Sequence, residues 1–128
     1  MTRFLLVCAG GALGSGARYL VGTWAAGAWG TGFPWGTLTI NLAGSFLIAV
    51  VMVLGLETGW VGPDLRLFLA VGVLGGFTTY SSFNYETLAL VQRGHPGLAA
   101  AYVAATLLGA LVTGSAGLIV ARFLATGW

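Results

Sequence analysis

Four apolar stretches, at roughly 4–24, 35–56, 65–91 and 97–124, take up most of this chain. Each can cross a bilayer, for which a helix needs about 20 residues. Backbone polar groups at that depth must be satisfied within the protein, and a helix satisfies its own. Only eight charges are spread over 128 residues, namely Arg3, Arg18, Arg66, Arg93, Arg122, Glu57, Asp64 and Glu86. At 6% charged residues, against about 25% in soluble domains, the chain cannot maintain a solvated surface. The expectation is an all-α integral membrane protein, one four-helix domain over residues 1–128.

The connections agree with this division. The first, around Ala25 to Pro34, is glycine-rich and flanked by Trp24, Trp29, Phe33 and Trp35, an interfacial aromatic belt. The second holds Glu57, Gly59, Gly62, Pro63 and Asp64, and the third runs from Gln92 to Gly97; both read as turns. His95, in the third, has no second ligand nearby and reads as a loop residue rather than a metal ligand. Cys8 is the single cysteine and reads as a small core residue. Arg3 before an apolar run imitates a secretory signal, but the run is roughly 20 residues long and further spans follow, which favours a retained helix. A formal charge of +2 without a basic run gives no reason to expect nucleic acid.

The third stretch is too long for one regular span. Its 27 residues would make a helix of about 40 Å, against a hydrocarbon core of about 30 Å. At its centre lie Gly75-Gly76-Phe77-Thr78-Thr79-Tyr80-Ser81-Ser82-Phe83, a glycine pair followed by hydroxyls and aromatic rings. A non-helical break near Phe77 to Thr79 resolves the excess, with Thr79 able to cap a second half-helix from about Tyr80. Irregular backbone at membrane depth is tolerated only where protein buries it or where it lines a watery cavity. The break is therefore a candidate ion or solute path.

Small residues show how the helices pack. Gly10 and Gly14 lie four apart, and Ala101, Ala105, Gly109, Thr113, Gly117 and Ala121 put a small residue at every fourth position of the last span. Such rows let backbones approach closely in lipid. Four helices enclose little volume, so a pathway calls for a second subunit. Arginine counts barely favour either face, with Arg3, Arg66 and Arg122 opposed to Arg18 and Arg93. That balance permits an antiparallel homodimer as readily as a one-way protein with a weak signal.

Thr37, Asn41 and Ser45 share one helical face. Asn41 lies deep in an apolar stretch, where an unpaired amide is costly. It is either an interhelical hydrogen bond or a donor that strips water from a small anion. Tyr102 and Thr106 form a similar stripe, although a hydroxyl bonded back to its own helix explains Thr106 equally well. Tyr80 and Phe83 share a face, either as packing residues or as rings whose electropositive edges meet an anion. Glu86 is the only acid within a span, and ionisable groups at that depth are functional candidates. No catalytic triad, metal-spaced cluster or nucleotide fingerprint is present, so an enzyme is not expected.

Over essentially its whole length the chain resembles the small fluoride channels of the Fluc or CrcB family. The likeness rests on Gly10-Gly11-Ala12-Leu13-Gly14 with Arg18-Tyr19, on Gly36-Thr37-Leu38 leading to Asn41-Leu42-Ala43-Gly44-Ser45-Phe46, and on Gly75 to Phe83 followed by Glu86. The resemblance implies an antiparallel, dual-topology homodimer in the cell's inner (plasma) membrane, passively conducting fluoride out of the cytoplasm. It implies a structural sodium ion at the dimer centre, held by the backbone carbonyls of Gly75 and Thr78. It further implies an anion path of Asn41, Tyr80, Phe83, Tyr102 and Thr106, with Arg18 as a vestibule arginine and Glu86 as a pore-end carboxylate. Tyr80 stands where the family has phenylalanine, and Ala110 where a further hydroxyl is expected. Two rivals remain: a small multidrug exporter, disfavoured because residues 4–24 hold no acid, and a scaffold subunit, which leaves the interrupted span unexplained.

Overall fold

The computed structural model describes residues 1–127. Among them the chain is entirely helical: α1 (Thr2–Trp29), α2 (Trp35–Leu56), a helical run of α3 (Pro63–Arg66), a π-helical stretch (Leu67–Leu74) and α4 (Gly75–Phe77), then α5 (Tyr80–Gln92) and α6 (Pro96–Thr126). Helices α1, α2 and α6 are each long and apolar enough to cross a membrane, and this is a membrane protein.

Boundaries follow local chemistry. Helix α1 continues through Ala25 to Trp29, which corrects the expectation that the first connection begins near Ala25. Ala25 is fully buried, because Gly22 and Gly36 bring the end of α1 and the start of α2 into close approach. Packing there outweighs the weak helix propensity of the glycines. The helix stops at Gly30, whose φ of 79° is a conformation that suits glycine. Proline opens α3 and α6 at their first turns, where its missing N–H costs nothing.

Two seams organise the bundle. On one side α1 lies against the π-helical stretch and α4 through glycine. A Cβ on Gly10 would come within 2.7 Å of the Phe68 carbonyl oxygen, and one on Gly14 would fall on the Val73 carbonyl. On the other side α2 packs against α6, where Gly117 meets the Phe46 carbonyl and the Thr113 hydroxyl donates to the Leu42 carbonyl at 2.9 Å. The row serves this contact from Gly109 onward: Gly109 lies against the Leu42 side chain and Gly117 and Ala121 are buried, whereas Ala101 and Ala105 are exposed.

At one end of the bundle the termini meet the Glu57–Gly62 connection, and two exposed ion pairs form, Arg3–Asp64 at 2.9 Å and Arg122–Glu57 at 2.8 Å. At the opposite end Trp24, Trp29, Trp35 and Phe33 contact one another in sequence, with ring centroids 4.6–6.3 Å apart.

Candidate functional site

Thr78 and Thr79 are the centre of the site. Their backbones are extended, at φ −77°, ψ 158° and φ −153°, ψ 121°, so the helix stops at Phe77 and restarts at Tyr80. Each end is satisfied locally. The Thr78 N–H and hydroxyl both donate to the Leu74 carbonyl, at 3.0 and 2.8 Å. The Thr79 hydroxyl accepts the Ser82 N–H at 3.2 Å, the cap that begins α5.

The Thr79 peptide groups then turn to α2. The Asn41 amide donates to the Thr79 carbonyl at 2.9 Å and accepts the Thr79 N–H at 2.9 Å. Both halves of one side-chain amide thus replace the helical bonds that the extended residues forgo. Gly44, one turn further along α2, makes room for the Thr78 methyl. Of the two readings of Asn41 left open by sequence, the interhelical bond is present; its second amide hydrogen is still available as a donor.

One turn towards the loop end, Glu86 is held by two hydroxyls. Thr37 donates to Oε1 at 2.8 Å and Tyr102 donates to Oε2 at 2.7 Å. Tyr102 is fully buried, and its ring meets Phe83 edge-on at 5.1 Å. Tyr80 lies 5.8 Å from Phe83 but is 77% exposed. Thr106 is buried and its hydroxyl has no hydrogen-bond partner among the described residues, so the bond back to its own helix does not form. A buried hydroxyl left unpaired costs about 1–3 kcal/mol, which makes Thr106 an open donor.

Two openings flank this set. A cavity of about 360 Å³ at the loop end is lined by Phe33, Thr37, Tyr85, Glu86 and Arg93, among others. A groove of about 680 Å³ on the bundle's flank is lined by Asn41, Ser45, Gly75, Thr78, Tyr80, Phe83 and Thr106 among others. Glu86 and Phe83, three residues apart on α5, face one opening each. Arg18 is half-buried on α1 and lines neither. Sequence reading missed Arg93, Phe33 and the pairing of Thr37 with Glu86. The seven-residue spacing of Glu86 and Arg93 on one helical face was the available signal for the first.

No hydrogen bond among the described residues ends on the carbonyl of Gly75 or Thr78. Two bare carbonyl oxygens are the hard donors that a sodium ion takes, so the residues present fit such an ion.

Comparison with known proteins places this arrangement. The family profile described as CrcB-like protein, Camphor Resistance (CrcB), matches residues 5–118. A protein of Anaeromyxobacter sp. (strain K) named fluoride-specific ion channel FluC is 61% identical over 125 residues, 98% of this chain and 99% of the relative. Proteins of the same name are 57% identical in a strain of Thermus thermophilus, over 82% of both chains, and 46% identical in Agrobacterium fabrum, over 95% of this chain and 98% of the relative. The chain with the amide-braced helix break and the unpaired buried threonine belongs to the CrcB family.

Proposed function

We propose that this protein is a passive fluoride channel, built as an antiparallel homodimer in the inner membrane and releasing fluoride from the cytoplasm. The relatives' name supplies the ion. The structural observation that carries the reading is Thr106, a buried hydroxyl with no partner among the described residues on the wall of a groove that Asn41 and Phe83 share. Four helical passes, with the run from Pro63 to Gln92 crossing as a broken third span, complete the architecture.

Fluoride is small and strongly hydrated, so entry demands donors that replace water without a fixed cation that would trap it. Thr106 and the second hydrogen of the Asn41 amide are such donors, and the edges of Phe83 and Tyr80 add weaker positive potential. Glu86 has already taken the hydroxyls of Thr37 and Tyr102. The donors on offer to an anion therefore begin beyond it, towards the groove. The groove is open along the flank of a single chain, and a second copy would close it into a path.

Gly75 and Thr78 would hold sodium through their backbone carbonyls, and a two-fold axis through the break would bring four such oxygens together. The ion would brace the interface without moving through it.

The test is fluoride efflux from liposomes containing the purified protein, with valinomycin and potassium present and chloride as the comparison anion. Rapid fluoride release with little chloride movement is expected. A reconstituted dimer that releases no fluoride would end the reading.

A further inference from the structure

We infer that Phe33 is a positioning residue whose ring keeps the Tyr102 hydroxyl on Glu86. The Tyr102–Glu86 bond is 2.7 Å long, and the direction of a phenol hydroxyl is set by where its ring stands. That ring is gripped from two sides. Phe83 meets it at 5.1 Å with planes at 61°, and Phe33 meets it at 5.4 Å with planes at 78°. Both are edge-to-face contacts of the kind aromatic quadrupoles favour.

The two grips differ in what stands behind them. Phe83 is buried on α5, one turn beyond the Thr79 cap. Phe33 belongs to the short connection between Gly30 and Pro34, outside any helix, and is held in turn by Trp35 at 4.6 Å. It also lines the loop-end cavity together with Glu86. Without the Phe33 ring, Tyr102 has that cavity to swing into, and Thr37 is left as the only donor to Glu86 among the described residues. The aromatic belt at the membrane surface thereby reaches the carboxylate through one ring, from Trp35 to Phe33 to Tyr102.

The inference stands on the hydrogen bond itself and depends on the channel reading only for its effect on flux. The chain has two glutamates, Glu57 and Glu86, so a Glu57→Gln background leaves Glu86 as the single carboxylate visible after 13C-glutamate labelling. In bilayers, Tyr102→Phe is expected to move the Glu86 carboxylate resonance. Phe33→Leu, which keeps bulk and loses the ring, is expected to move it in the same direction by at least half as much. The double variant should match Tyr102→Phe alone, and Phe33→Tyr should leave the resonance in place. Phe33→Met serves if Phe33→Leu does not assemble. A resonance that Tyr102→Phe moves and the ringless Phe33 variants do not, or one that Tyr102→Phe does not move, overturns the inference. Fluoride efflux should fall about threefold in Phe33→Leu and no further in the double variant. Wild-type protein that passes the spectroscopic test but releases no fluoride would sink the channel reading and leave the positioning role intact.

Discussion

The two flanks of the third helical segment hold it by opposite means. Against α1, the contact of Gly10 and Gly14 with Gly72 and Val73 is backbone on backbone, with no side chain between. Against α2 and α6, it is polar: Asn41 on Thr79, Thr37 and Tyr102 on Glu86. Shape fixes the first seam and hydrogen bonds fix the second. In lipid both are needed, since apolar side chains gain little by leaving one hydrocarbon surface for another. A seam specified by shape has no room in it. One specified by polar pairs leaves openings beside them, and the groove beside Asn41 and the cavity beside Glu86 are two such openings. Close backbone packing and polar pairing thus fall on different faces of one segment.

Three sets of substitutions test that division, and a fourth experiment serves as a control outside it. The largest effect is expected from Gly14→Val, whose side chain would collide with the Val73 carbonyl; overpacking typically costs about 1–3 kcal/mol, and a backbone obstacle more. Recovery of folded protein should collapse, while Gly16→Ala, with nothing within 4 Å, should be recovered as wild type. Equal recovery of the two would mean that the seam is not set by shape.

Next is Asn41→Asp, which keeps the acceptor for the Thr79 N–H, loses the donor to the Thr79 carbonyl and adds a negative charge. Fluoride efflux should be abolished. Asn41→Ala separates the causes: stability should drop by about 1–3 kcal/mol through the orphaned peptide groups. Full efflux from the folded fraction of Asn41→Ala would make Asn41 a strut and not an anion donor.

Thr106→Val should do the reverse, lowering efflux severalfold while thermal stability holds or rises by about 1 kcal/mol, because the lost hydroxyl has no partner among the described residues. A stability loss with efflux unchanged would move Thr106 from the polar side of the comparison to the packing side.

Smallest is a pH effect away from both seams. The Arg122 guanidinium hydrogen-bonded to Glu57 holds that carboxyl below its ordinary value. A depressed folded-state pKa gives stability that is present above the unfolded value near 4.5 and lost as pH falls through the folded one. The contribution is slight for so exposed a pair, and Glu57→Gln should remove it. Acid sensitivity that Glu57→Gln leaves unchanged would mean that this pair contributes none of it.

Much of this was legible in the sequence. The span of α2 follows from its apolar run alone, and the Thr79 cap follows from a hydroxyl placed just before a helical pattern. Asn41 could be recognised as costly but not assigned a partner, because its bonds join positions 38 residues apart and no local pattern encodes that. The π-helical stretch was invisible for a similar reason. Its residues, Leu67 to Leu74, would suit an α-helix equally well. The Phe33–Tyr102 contact could not be foreseen either, since a connection without regular structure carries no periodicity to read. The family resemblance supplied the candidate pathway residues, whereas geometry distinguished Arg93, on the loop-end cavity, from Arg18, which lines neither opening.

The paired bonds between Asn41 and Thr79 have one further consequence. A side-chain amide that both gives to and takes from the backbone of one residue forms a single rung of the kind that joins two strands of a sheet. A rung tolerates little sliding: a displacement of α2 by one residue, about 1.5 Å, would break both bonds and leave the Thr79 N–H and carbonyl without their partners. The frame around the break is therefore fixed in register. Whatever opens or closes there must be a side chain turning about its own bonds, not a helix sliding past its neighbour.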